Sequence, residues 1–134
     1  VLSRTTTVAN VVLLRPRGSG GGPWLCVVNN HFFGDPGAPH VRMVQGALVL
    51  AICEEFITAA WQDHGLGDVA LVVGGDFNCG SGEGLCEFLA NGEVSETHPD
   101  WDASETFRWR TFNTDQPVGL CGGAEGCGRA AMQL

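Results

Sequence analysis

The chain has 134 residues, enough for one compact domain and too few for a multidomain assembly. With 44% hydrophobic and only 16% charged residues, it is not a disordered tail. A net charge of −8 excludes broad electrostatic coating of nucleic acid, which needs an excess of cationic side chains. Lys and Tyr are absent, a skew in keeping with GC-rich coding rather than with function. The six cysteines (Cys26, Cys53, Cys79, Cys86, Cys121, Cys127) include no CxxC and no Cys–His pair at ligand spacing, which argues against structural zinc. Cys26 and Cys53 sit inside apolar runs, so reduced thiols in an intracellular protein, cytoplasmic or mitochondrial, are expected.

Residues 7–15 (TVANVVLLR) read as a buried strand, and residues 24–30 (WLCVVNN) as a second strand. The glycine-rich stretch 18–22 between them predicts the tip of an antiparallel hairpin. It lacks the Lys-Ser/Thr pair and the following helix that a phosphate cradle requires. A Gly/Pro loop over 31–38 then leads to Pro39, a favoured first-turn residue, and to a helix over 41–63. Apolar residues at Val41, Val44, Leu48, Ile52, Phe56 and Ala59 or Ala60 predict its inward face. Arg42, Gln45, Glu54 and Glu55 interrupt the run and argue against a membrane span.

Residues 69–73 (VALVV) form a short buried strand, and the helix before it implies a parallel crossover. A short helix over 84–90 follows, with Leu85, Phe88 and Leu89 inward. The order β-β-α-β-α gives an α/β class. Beyond about residue 102 the pattern weakens. Residues 107–112 (FRWRTF) alternate as a half-buried strand would, and the Gly/Cys-containing remainder to 134 carries no assignment. His64 suits a helix C-terminus, whereas His40 and His98 are expected in solvent-facing loops.

Two polar pairs stand at strand ends. Asp76 and Asn78, in Gly74-Gly75-Asp76-Phe77-Asn78, project to one face while Phe77 points away. A carboxylate can hold or activate water, and an amide can donate to a phosphate oxygen without adding repulsive charge. Taken alone, the pair reads first as an Asx turn capping the next helix. Asn29 and His31 share a face past the second strand, where an imidazole can donate to a phosphate or a transition-state oxygen. With a helix joining the two strands as neighbours, the pairs together favour an active-site edge.

These residues resemble the endonuclease/exonuclease/phosphatase superfamily. Asn29-Asn30-His31-Phe32 is similar to its Asn-Thr-His-Leu motif, and Gly75-Asp76-Phe77-Asn78 matches its Gly-Asp-Phe-Asn motif. His31 followed by Pro36, then Arg42-x-x-Gln45, resembles the branch of nocturnin, the deadenylases, the Angel proteins and the 2′-phosphodiesterases. Phe88-Leu89-Ala90-Asn91-Gly92 and His98-Pro99-Asp100-Trp101 look most like the 2′-phosphodiesterase members.

The resemblance covers residues 1–102 and implies the central part of a four-layer, DNase I-like α/β sandwich, with 103–134 unassigned. It also implies an Mg²⁺-dependent phosphodiesterase (Mn²⁺ as an alternative) acting on an RNA 3′ end or an oligoadenylate. Asp76 would orient the attacking water and hold the metal through water. Asn78 and His31 would bind the scissile phosphate, Asn29 would support His31, and Pro36 would pack on the substrate base. Arg42 and Gln45 are expected to fix the loop and the helix start.

Departures accompany the likeness: Asn30 for Thr, Phe32 for Leu, Cys79 for Ser, Ser81 for Pro, and Cys86 for an aromatic residue. The family's metal-binding Glu and its closing Ser-Asp-His have no counterpart in these 134 residues, so the chain alone is expected to be inactive. Two alternatives stay open. One is a phosphatase of the same superfamily acting on a small phosphorylated substrate; the other is a non-catalytic domain that binds a partner.

Overall fold

A computed structural model describes residues 7–17, 22–111, 114–119 and 132–133, with side chains as far as residue 108. Two strands, β1 (Val8–Leu14) and β2 (Trp24–His31), pair antiparallel, as apolar runs flanking a glycine loop should. The loop tip 18–21, residue 112 and Cys121 and Cys127 lie outside the described residues. Helix α1 (Pro39–His64) follows, and β3 (Val69–Asp76) then pairs with β2 in parallel, giving the sheet order β1-β2-β3. β1 and β3 are not buried as their apolar runs predict: they are the two edges of this sheet, and neither contains a buried residue. Helix α2 (Gly84–Asn91) completes the β-β-α-β-α order of a mixed α/β fold. After it come β4 (Glu93–Val94), a 3-10 turn (Pro99–Trp101), α3 (Ala103–Thr106), β5 (Arg108–Thr111), β6 (Thr114–Gly119) and β7 (Met132–Gln133). β4 pairs with β7 and β5 with β6, both antiparallel.

The chain divides into two compact units. The first comprises residues 1–33 and 45–78, the second residues 34–44 and 79–134. In the first, one sheet face carries Cys26, Val28 and Asn30, all buried, with the buried Cys53 of α1 beside Cys26. Val49 and Leu66 extend this core. Gln45 pins the helix to the sheet: its Oε1 accepts the Phe33 N–H at 2.9 Å, and its Nε2 donates to Thr7 Oγ1 at 3.1 Å.

Beyond Val41, which is buried as expected, the inward face of α1 differs from the predicted one. Gln45, Val49 and Cys53 are buried, whereas Val44, Leu48, Ile52 and Phe56 remain exposed. Apolar residues encircle this helix, so their spacing cannot choose a side; the polar anchor at Gln45 and the Cys26–Cys53 contact do. By length and composition α1 is the one helix among the described residues able to cross a membrane.

In the second unit, Met43, Leu85, Phe88 and Val94 form the core with Val41 and Phe107. Arg42, 1% exposed, donates Nε and Nη2 to Glu83 Oε2 at 3.0 and 2.7 Å, and Nη1 to the Asp35 carbonyl at 2.6 Å. It therefore fixes the loop and the helix start, as its sequence position suggested. Asp100 Oδ2 accepts the Gly84 N–H at 2.7 Å, satisfying an otherwise unpaired donor at the start of α2. Gly92, in the left-handed region at φ 80°, ends that helix by donating to the Phe88 carbonyl.

Two histidines depart from expectation. His40 is buried edge-on against Phe107, with ring centroids 5.5 Å apart, because the start of α1 is enclosed by the second unit's core. His98 is half-buried: its Nδ1 accepts the Asp100 N–H at 3.2 Å, capping the 3-10 turn. His64 lies exposed in the last turn of α1, where a cation complements the helix dipole.

Candidate functional site

The parallel register of β2 and β3 sets Asn29 beside Gly74 and His31 beside Asp76. Alternation puts Asn29, His31 and Asp76 on one face of the sheet, the one opposite Cys26 and Val28. All three are exposed. β3 runs three residues beyond the predicted VALVV, so Asp76 closes the strand instead of following it. The Phe32 N–H donates to the Asp76 carbonyl at 2.8 Å, holding the two strand ends together at this edge.

Asn78 is the only residue other than glycine with a positive φ (51°) among the described residues. Such a conformation costs free energy and persists only where the surroundings fix it. Two hydrogen bonds do so. Asp76 Oδ1 accepts the Asn78 N–H at 2.9 Å in an Asx turn, and Asn78 Nδ2 donates to the Phe32 carbonyl at 2.9 Å. Phe32 and Phe77 meet edge to face at 5.6 Å beneath the turn. The Asx turn and the strand-end site are thus the same object. Asp76 keeps Oδ2 for another partner, and Asn78 keeps its second amide hydrogen and Oδ1.

Two contributors were not identified as such from the sequence. Gly75, at φ 122°, passes so close to the Asn30 backbone that a Cβ there would collide with the Asn30 carbonyl and amide. Asn30, 3% exposed, donates Nδ2 to the Gly74 carbonyl at 2.7 Å and clamps the strands beside the polar pairs. The signal for Gly75 was present in its motif; that for Asn30 was hidden by alternation, which placed it on the core face.

Pro36 lies exposed in the turn before α1, within the second unit. There Asp35 Oδ1 accepts the Gly37 N–H at 2.8 Å and the Asp35 carbonyl accepts the Ala38 N–H at 3.1 Å. A cleft of about 710 Å³ opens at the other end of the sheet, lined by Leu13, Arg15, Trp24, Phe56, Asp63 and His64. The Arg15 guanidinium lies 5.6 Å from the Trp24 ring centroid there. This cleft is remote from the polar edge. No group of three or more His, Cys, Asp or Glu side chains converges as a metal site among the described residues.

A carboxylate, an imidazole and amides gathered at the C-terminal edge of parallel strands are the kind of site at which α/β proteins bind ligands. No family model matches the chain. Over 104 residues it is 28% identical to 2′,5′-phosphodiesterase 12 of Bos taurus, covering 78% of this chain and 16% of that protein. The Homo sapiens 2′,5′-phosphodiesterase 12 is 28% identical over 101 residues, 75% of this chain and 15% of that protein. That of Rattus norvegicus is 29% identical over 77 residues, 58% of this chain and 12% of that protein. The chain therefore spans about a sixth of the length of the first of these relatives, and the likeness supports a relation to the 2′,5′-phosphodiesterase 12 proteins.

Proposed function

We propose that the longer protein carrying this sequence hydrolyses phosphodiester bonds, and that this chain supplies the phosphate-facing edge of its active site. The observation that carries the reading is the register that sets His31 beside Asp76 on one exposed face, with Asn78 held in a left-handed turn next to them. In this reading His31 donates to a non-bridging phosphate oxygen as charge develops there. Asp76 Oδ2 orients the attacking water, and the remaining Asn78 amide hydrogen steadies the phosphate. Asn29, on the same face, keeps the approach to His31 polar. The substrate is an RNA 3′ end or an oligoadenylate.

Mg²⁺, or Mn²⁺ in its place, is the cofactor we associate with the activity. The donors of this chain do not fit it by themselves: Asp76 offers one carboxylate oxygen, whereas the ion usually takes one or two carboxylates plus substrate oxygens. Asp76 is accordingly one donor, through water, in a site that other residues of the longer protein complete.

The test is hydrolysis of poly(A) and of 2′,5′-linked oligoadenylate by the longer protein, beside its Asp76→Ala variant and the 134-residue chain alone. The chain alone should show no turnover. Asp76→Ala should lower kcat by roughly 10³-fold. An unchanged rate in that variant would reject the role given to Asp76.

A further inference from the structure

The turn that follows Asn78 holds a pair of thiols. Cys79 Sγ and Cys86 Sγ lie 3.3 Å apart, and Cys86 Sγ also lies 3.3 Å from the Gly80 carbonyl, to which its S–H donates. Both cysteines are half-buried and so accessible to a small reagent. Their approach is built by the surrounding turn. Glu83 Oε1 accepts the Gly80 N–H at 3.2 Å, while its Oε2 is clamped by the buried Arg42. The Glu83 carbonyl accepts the Cys86 N–H at 2.9 Å at the start of α2. A single carboxylate thus fixes both arms of the turn, and the two sulfurs are positioned before any bond between them forms.

We propose that Cys79 and Cys86 are a redox-active dithiol, which a low-molecular-weight disulfide such as oxidised glutathione converts into an intramolecular disulfide. Two thiols lose two protons and two electrons as the Cys79–Cys86 S–S bond forms. The reagent's S–S bond breaks, and the reagent leaves as two thiols. One cysteine thiolate displaces the first thiol to give a mixed disulfide, and the other then displaces the second. Positioning of the sulfurs raises their effective concentration and favours this closure over any other pairing.

The rate has a built-in brake. Burial, then the hydrogen bond and charge of Cys86, then Glu83, push the Cys79 thiol up to about 12, with Arg42 opposing. Each cysteine acts as nucleophile once, so the Cys79 thiolate is needed in every route. Cys26 and Cys53 also face each other, but they are fully buried, which pushes both thiols up and shields them from the reagent.

The 134-residue chain, fully reduced, is exposed to oxidised glutathione, blocked with N-ethylmaleimide, denatured and cleaved after Glu. The cleavage at Glu83 separates Cys79 from Cys86, so their disulfide links peptides 56–83 and 84–87. That linked pair should exceed every other disulfide by about tenfold or more, with Cys26 and Cys53 still reduced. Closure should accelerate about tenfold per pH unit between about pH 7 and 9, as the Cys79 thiolate fraction does. Cys86→Ser and Cys79→Ser, both near-isosteric, should each stop at one mixed disulfide. A mixed disulfide that persists in the unsubstituted chain without closing, a linkage to Cys121 or Cys127, or a closure rate independent of pH would overturn the proposal.

Discussion

Both ring nitrogens of His40 are buried without a hydrogen-bond partner, and the residue is 6% exposed. Burial, and next the nearby Arg42, lower its pKa from 6.5; Asp100 opposes them. The folded state therefore holds His40 neutral, and protonation favours the unfolded chain. Stability is full above about pH 6.5, the unfolded value, and falls as pH drops from there through the lowered folded value, by up to ~1.4 kcal/mol per pH unit. Thermal unfolding between pH 7.5 and 5 should show that decline, and His40→Leu should flatten it. Sequence alone gave no warning of this burial. A single His beside Pro39 reads as a loop residue, and only tertiary packing against Phe107 encloses it.

At the scale of elements, α1 begins against its own dipole. Its first turn contains no acidic residue and carries Arg42, a cation where an anion is preferred. The pairing with Glu83 at 2.7 Å and the bond to the Asp35 carbonyl outweigh that penalty. Arg42→Ala would leave the half-buried Glu83 carboxylate and the Asp35 carbonyl without these donors, and should cost about 3 kcal/mol. Chemical denaturation of the variant checks this, and Arg42→Lys should recover only part of the loss because it lacks the fork. The helices and strands themselves were legible: β1, β2, α1, β3 and α2 lie within a few residues of the predicted segments. Their apolar runs are long, and glycine or proline punctuates them. The orientation of α1 was not legible, because a helix apolar on all sides presents no preferred face to count.

For the molecule as a whole, the sheet face bearing the polar edge is open. Along it, Val12 and Leu14 of β1 and Val72 of β3 are roughly half exposed, each between 47% and 49%. The stripe Val44, Leu48, Ile52 and Phe56 on α1 is also exposed. Apolar surface of this extent binds hydrophobic dyes and promotes self-association. The chain should therefore enhance 8-anilinonaphthalene-1-sulfonate fluorescence. Val12→Asp combined with Val72→Asp should reduce that signal while changing the denaturation midpoint little, since both side chains already face water. A signal unaffected by the two substitutions would place the dye elsewhere. The location of the candidate site was readable because motif and alternation agree: His31 and Asp76 each end a strand on the same face. The hydrogen bonding that shapes it was not, since the partners of Asn78 and Asn30 are main-chain carbonyls that sequence does not display.

The parallel pairing of β2 with β3 has a consequence in time. His31 and Asp76 are neighbours across strands yet belong to distant parts of the chain, and no hairpin can bring them together. The segment between them must fold into α1 and cross over before either polar pair has a counterpart. Local structure, however early it forms, leaves the two halves of the edge apart. Proteolytic nicking between α1 and β3 would therefore separate the pairs without touching a residue of either. The polar edge is a property of the completed crossover, and its appearance during refolding would report that late event.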